Sequence, residues 1–140
     1  MKFLLITLLI IIGGIVWGLI ERRIFKNKLL KLNKERQNLS KAEFVENFIS
    51  KGYDYDVISK IYDELIRYIG IEDFVLLPDD DLHKICDLHD LDDIELIDRI
   101  CQLLKIEKLS QKDFDSLTDK YDYLNFESLL ELTRNLKRIE

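Results

Sequence analysis

Residue types that commonly serve as metal ligands and nucleophiles are scarce in this chain. Its 140 residues include two cysteines, two histidines, five glycines and one proline. The two histidines match no zinc signature, and the glycines form neither a phosphate-binding loop nor a serine hydrolase elbow. The sequence therefore argues against these familiar kinds of catalytic site.

Sustained alternation of apolar and polar residues is also missing, and so is any internal repeat. A strand that packs one face against a core needs such alternation, because successive side chains point to opposite faces of a sheet. Apolar residues instead recur three and four positions apart, which is typical of amphipathic helices. We therefore predict an all-α fold, with an N-terminal transmembrane helix followed by a small bundle of four to five helices.

Charge is absent from residues 3–20, which read FLLITLLIIIGGIVWGLI. As a helix, this run spans roughly 27 Å, close to the thickness of a bilayer's hydrocarbon core. A secretory signal peptide is the competing interpretation, because Lys2 precedes the apolar run. The run is longer than a usual signal core, no A-x-A-like site follows it, and no nearby cysteine is placed to accept a lipid. We therefore favour an uncleaved membrane anchor.

Positive charge follows this apolar run closely. The basic residues between Ile20 and Gln37 are Arg22, Arg23, Lys26, Lys28, Lys31, Lys34 and Arg36. By the positive-inside rule we predict a single-pass protein of the inner (cytoplasmic) membrane whose C-terminal domain is cytoplasmic. Gly14 and Gly18 have the small-xxx-small spacing of helix dimers, which predicts at most weak self-association through the transmembrane helix.

Net charge changes sign near Ser40. Residues 1–41 contain nine Lys/Arg and two Glu, a net charge of +7, whereas residues 42–140 contain twelve Lys/Arg and twenty-five Asp/Glu, a net charge of −13. We therefore divide the chain into a transmembrane anchor (1–21), a basic juxtamembrane stalk (22–41) and an acidic helical domain (42–140). The stalk either continues the membrane helix outward or lies on the headgroups, or it is a solvated tether that only fixes topology. The acidity of the folded part disfavours nucleic acid as a partner.

Capping residues delimit the first two helices of the acidic domain. Ser40 and Glu43 form a capping box, and the short helix that follows ends at Gly52. Residues 54–69 carry apolar residues at helical spacing before Gly70, which predicts a core-facing helix of about fifteen residues. The predicted apolar faces comprise Phe44, Val45, Phe48 and Ile49 in the first helix and Ile58, Ile61, Tyr62, Leu65, Ile66 and Ile69 in the second.

A long loop and three further helical segments are predicted in the second half of the domain. Residues 71–89 contain the only proline, and their apolar residues 74–77 are expected to plug the core. A helix is predicted over residues 91–105, one short helical turn near Phe114 and Leu117, and a last helix capped by Asn125. The predicted inward-facing residues are Ile94, Ile97, Cys101 and Leu104, and then Leu129, Leu132, Leu136 and Ile139.

The run HDLDDIEL, residues 89–96, resembles the DSLDxVEL motif that opens the second helix of acyl carrier proteins. The order of long helix, long loop, acidic helix, short helix and closing helix agrees as well. Residues 91, 92 and 94–96 fall on like positions, but His89 replaces the motif's aspartate and Asp90 replaces the serine that takes the phosphopantetheine arm. A carboxylate cannot form the phosphodiester of that arm. The resemblance, over roughly residues 54–140, implies a degenerate domain without a cofactor, similar to carrier-like bacterial proteins of unknown function.

Carboxylates and histidines cluster between Asp79 and Asp93, but their spacing lacks the central glycine and closing glutamate of a calcium loop. Asp90, Asp92 and Asp93 are better explained as stabilisers of a helix N-terminus. Cys101 lies on a predicted apolar stripe and Cys86 lies in the predicted loop. We expect both cysteines to be packing residues, with neither an activated thiol nor a disulfide.

An acidic helix face remains as the candidate functional surface. Its carboxylates belong to Asp87, Asp90, Asp92, Asp93, Glu95 and Asp98. Like charges this dense repel one another, so the cluster is easier to understand if it steers a basic protein into contact. We therefore expect a membrane-anchored, non-enzymatic adaptor that binds a basic protein partner and needs no metal or cofactor. The alternatives are an accessory carrier-like protein in lipid or secondary metabolism at the membrane, a divalent-metal-binding sensor, and a merely solvated face.

Overall fold

The computed structural model describes residues 2–36, 39–88 and 92–136, and of Lys2, Gln111, Phe114, Leu117 and Thr118 it describes only the backbone. Helices joined by loops make up these described residues, which confirms the predicted all-α fold. The chain divides into two units, Met1–Gln37 (unit 1) and Asn38–Glu140 (unit 2). This division falls slightly before the one predicted from the change in net charge.

Unit 1 consists of one helix, α1, which runs without interruption over Lys2–Glu35. Near the N-terminus this helix is long and apolar enough to cross a membrane, a property that a signal sequence shares. Its uncharged run ends at Ile20, and the next residue, Glu21, accepts the indole N–H of Trp17 at 2.8 Å. Residues 22–35 of the basic stalk thus continue the helix, which is one of the alternatives considered for the stalk.

Unit 2 contains the remaining helices of the described chain. Their bounds are α2 Lys41–Ser50, α3 Tyr55–Ile69, α4 Leu82–Cys86, α5 Asp92–Leu104, α6 Gln111–Lys120 and α7 Phe126–Asn135. The described part of unit 2 thus holds six helices, more than the four to five predicted. The addition is α4, which lies in the segment predicted as a loop.

The predicted capping residues of the early helices are confirmed at Ser40, Gly52 and Gly70, and Asp54 is a further cap that was not predicted. Ser40 and Glu43 exchange the hydrogen bonds of a capping box at the start of α2, and Asp54 accepts backbone N–H groups at the start of α3. Gly52 and Gly70 follow these helices with φ angles of 87° and 71°, in the left-handed region that favours glycine. Short polar and glycine residues therefore define the boundaries that the sequence pattern indicated.

Aromatic side chains from α2, α3 and α7 form the centre of the core. The ring of Phe44 lies 4.8 Å from that of Phe126, 5.1 Å from that of Phe48 and 5.0 Å from that of Tyr62. The pairs with Phe126 and Tyr62 are edge-to-face, an arrangement that adds stability beyond the burial of their area. Around this cluster α3 packs against α2, α4 and α5, and α6 packs against α7.

The long loop between α3 and α5 enters the core at Phe74 and Leu76, whereas Val75 and Leu77 are only half-buried. Its helix α4 begins where the Asp81 carboxylate accepts the N–H of His83. The Leu82 N–H donates to the Leu124 carbonyl at 2.8 Å, which ties α4 to the segment before α7. The prediction of a partly buried loop is therefore right for two of its four plug residues.

The last two helices differ from prediction in length. Helix α6 has ten residues instead of one turn, and it begins after a Ser110 whose hydroxyl and N–H both donate to the Asp113 carboxylate. Helix α7 ends at Asn135, and Leu136 has an extended backbone, so Leu136 does not continue the predicted stripe. Leu129 and Leu132 are buried as predicted, while Ile139 lies outside the described residues.

Candidate functional site

The predicted acidic face lies mainly on α5. Four of its carboxylates belong to this helix, and three of these, Asp92, Asp93 and Glu95, occupy the first turn. Negative side chains are favourable there because the helix dipole leaves partial positive charge on the first N–H groups. The Asp93 carboxylate also accepts the N–H of Ile94 at 2.8 Å. The position of these acids is thus explained in part by the stability of the helix itself.

Two further acids of the predicted site lie elsewhere. Asp87 follows α4 as its C-terminal capping residue, exposed and with a φ angle of 53°. Asp90 lies outside the described residues, together with His89 and Leu91. The described structure therefore brings together Asp92, Asp93, Glu95 and Asp98 on one helix.

The buried face of α5 differs from the prediction at Ile94. Ile97 and Cys101 are buried as expected, but Leu96 and Ile100 complete the buried face and Leu104 is half-buried. The Ile94 side chain is 48% exposed, so its assignment to the inward stripe is wrong. Periodicity gives the direction in which a side chain points, but it does not tell how far along the helix the neighbouring elements extend.

Basic residues compensate part of the acidic charge. Arg99 donates to the Glu95 carboxylate at 2.7 Å, one turn along α5, and the Lys108 ammonium lies 2.8 Å from the Asp98 carboxylate. These hydrogen bonds, together with the attraction between the charges, raise the pKa values of Arg99 and Lys108. The face is therefore less dense in uncompensated negative charge than its sequence indicates.

Together these groups form a shallow depression on the outer side of α5. It is lined by Ile94, Glu95, Asp98, Arg99 and Gln102. The apolar side chain of Ile94 thus lies among charged and amide groups that are at least partly open to solvent. This arrangement supplies contact area and charge, but no nucleophile.

Both cysteines have the environment of packing residues. Cys86 and Cys101 are buried and carry free thiols. Burial, with a smaller contribution from the nearby Asp80 carboxylate, raises the pKa of the Cys86 thiol to about 12. Burial also raises the pKa of Cys101. Because the thiolate is the reactive form, these raised pKa values disfavour nucleophilic chemistry at either cysteine at neutral pH.

Metal-ligating side chains do not converge anywhere in the described ranges 2–36, 39–88 and 92–136 in groups of three or more. His83 is exposed on α4, and the predicted cluster's other histidine, His89, lies outside those ranges.

A second, more enclosed cavity, which the sequence did not reveal, lies at the C-terminal end of α5. Its volume is about 540 Å³, and it is bordered by the start of α3, the end of α5 and α7. Its lining residues are Gly52, Tyr53, Asp54, Asp56, Val57, Lys60, Leu103, Leu104, Lys105, Ile106, Leu130, Thr133, Arg134 and Leu136. These residues come from three separate stretches of the chain, so no local motif could have indicated the cavity.

Known proteins give no further guide to the acidic face or the cavity. The likeness of residues 89–96 to the acyl carrier motif stays a prediction, because three of its residues lie outside the described structure. No family model, no curated protein and no solved structure matches this chain.

Proposed function

We propose that the protein is a membrane-anchored, non-enzymatic adaptor that recruits a basic protein through the outer face of α5. The observation that carries this proposal is the exposed Ile94 set among Glu95, Asp98 and Arg99. Protein interfaces commonly join an apolar centre to a polar rim, and a single apolar anchor can supply much of the affinity. The α5 face has both parts on one rigid helix.

The ion pairs on this face are compatible with binding. Glu95–Arg99 and Asp98–Lys108 are exposed pairs, and such pairs contribute only about 0.2–1 kcal/mol each because water and salt screen them. A partner that brings its own Arg or Lys can therefore replace Arg99 or Lys108 at little cost. The net charge of −13 over residues 42–140 supports a basic partner, since it attracts one over distances set by the screening length.

In this proposal the apolar part of α1 crosses the inner membrane and anchors the protein there. Unit 2 lies in the cytoplasm. Support for this orientation comes from the seven Lys/Arg that follow Ile20. The Trp17–Glu21 hydrogen bond fits an aromatic residue at the boundary between lipid and water. A reporter fused after Glu140 should behave as cytosolic, and digestion of unit 2 by protease outside intact cells would overturn the orientation.

The adaptor proposal is tested with the full-length protein carrying Asp92→Asn, Asp93→Asn and Asp98→Asn together, and separately Ile94→Ser. Both variants should reduce recovery of a co-purifying basic partner, and added salt should reduce it for the unmodified protein. The matched control changes Glu72 to Gln and Asp79 and Asp119 to Asn, which removes the same charge from exposed acids of other elements.

The control separates recognition by α5 from a general effect of net charge. If the control triple lowers recovery as much as the α5 triple, the bound protein responds only to overall charge. If neither variant of α5 changes recovery while its circular dichroism is unaltered, the face is merely solvated and the adaptor proposal fails.

A further inference from the structure

The cavity at the C-terminal end of α5 has an apolar floor. Leu130 and Ile106 are almost fully buried there, and Val57, Leu104 and Leu136 are half-buried beside them. Its volume of about 540 Å³ falls in the range of sites that hold small organic ligands. It lies on the opposite end of α5 from the acidic first turn, roughly 18 Å along the helix axis.

Charges at the rim of the cavity are not balanced. Both acidic residues of the lining have partners: the Asp54 carboxylate accepts the N–H groups that begin α3, and Asp56 pairs with Lys60 at 2.7 Å. Lys105 and Arg134 remain, and neither forms a salt bridge within the described residues, although the Glu131 carboxylate, which is hydrogen-bonded to Lys120 and Tyr121, attracts Arg134 from nearby on α7. The guanidinium of Arg134 instead lies 6.0 Å from the centre of the Tyr53 ring. Two cations that have no salt bridge within the described residues favour an anion at this rim.

Backbone conformation adds a second, independent observation at Lys105. This residue ends α5 with a φ angle of 54°, and its N–H donates to the Gln102 carbonyl while Ile106 donates to Cys101. Glycine is the usual residue in this conformation, because the Cβ of any other residue is strained there. Strained residues concentrate at binding sites, where the side chain has a use that glycine cannot serve.

We propose that this cavity binds a small organic monocarboxylate, with its apolar body against Leu130 and its carboxylate between Lys105 and Arg134. A guanidinium can donate two parallel hydrogen bonds to a carboxylate, which favours this group over a single hydroxyl or amide. The enclosing walls come from three helices of unit 2, so the ligand would be held within one copy of the chain. The site is separate from the acidic face of the adaptor proposal and does not depend on it.

The test uses the full-length protein in nanodiscs of zwitterionic lipid, with 5-phenylpentanoate as the probe and 5-phenylpentanamide as its uncharged match. Binding is followed by the methyl NMR signals of Val57, Leu104 and Leu130. The carboxylate should shift all three, and the amide should bind at least about tenfold more weakly, because it lacks the charge that the rim selects. Lys105→Gln and Arg134→Gln should each raise the Kd for the carboxylate by about tenfold.

Two further variants make the outcome decisive. Arg134→Lys keeps the positive charge but loses the paired N–H donors of the guanidinium, so its Kd for the carboxylate should lie between those of the unmodified protein and Arg134→Gln. Lys84→Gln removes an exposed cation of α4 and should leave the Kd unchanged. Equal binding of acid and amide, or unchanged Kd in both Gln variants with intact spectra, would overturn the proposal. So would methyl shifts that depend on protein concentration without ligand, because they would mean that a second copy fills the cavity.

Discussion

Replacing Lys105 by glycine should make unit 2 more stable. The left-handed conformation of Lys105, with a φ angle of 54°, costs a residue with a Cβ roughly 1–2 kcal/mol. Glycine removes this cost but loses more conformational freedom on folding, which offsets about 0.5–1 kcal/mol. The difference predicts that Lys105→Gly raises the free energy of unfolding by about 0.5–1 kcal/mol.

Gly70 provides the converse test in the same molecule. It ends α3 with a φ angle of 71°, and an added Cβ would meet no atom within 4 Å. Gly70→Ala should therefore lower stability by about 0.5–1 kcal/mol through backbone strain alone.

Urea unfolding of the full-length chain in one detergent, followed by far-ultraviolet circular dichroism, measures both changes against Lys105→Ala, which should be close to neutral. If Gly70→Ala destabilises while Lys105→Gly gives no gain, the Lys105 side chain contributes stability that balances its strain, and the reasoning is refuted. If Lys105→Gly is more stable yet binds 5-phenylpentanoate less well, the Lys105 ammonium group serves ligand binding at a cost in stability.

Two more predictions concern the core. Phe126→Ala should lower the free energy of unfolding by roughly 3–5 kcal/mol, because the ring is fully buried against Phe44 and Phe48, and a loss below about 1 kcal/mol in urea unfolding would contradict this packing. The second follows from the Cys86 thiol, whose pKa is raised to about 12 in the fold but lies near 8.5 in an unfolded chain. Between these two pH values the folded state holds a proton on Cys86 that the unfolded state has lost. The contribution of Cys86 to the free energy of unfolding is therefore complete below about pH 8.5 and falls by about 1.4 kcal/mol per pH unit above it. Comparing unmodified protein with Cys86→Ala at pH 8 and pH 10 should show a shallower decline in the variant, and parallel declines would refute the burial of the thiol.

Local sequence was sufficient for most of the helix ends. Ser40, Gly70 and Asn125 all act at the positions where their side chains or conformational freedom predicted a boundary. Such residues act through hydrogen bonds and φ angles within a few positions, so their effect can be predicted from the nearby sequence alone. Helix α4 was missed because five residues are too few to establish a period.

What depends on distant parts of the chain was not predictable in the same way. Ile94 has the spacing of an inward residue, yet its exposure is decided by elements remote in sequence. The compensation of Asp98 by Lys108 likewise depends on how the chain turns after α5. The cavity near Leu130 is the extreme case, because its walls meet only after the helices have packed.

The unbroken course of α1 has a mechanical consequence for a chain anchored in a bilayer. A helix of 34 residues is a rod about 51 Å long, whereas the hydrocarbon core accounts for about 30 Å. A tilt of about 20°, common for single helices in membranes, would carry the far end of such a rod sideways by about 17 Å. Because the tilt of a helix responds to bilayer thickness, the lipid composition would set how far Glu35 is displaced sideways. A flexible tether would not pass a change of tilt on to its far end.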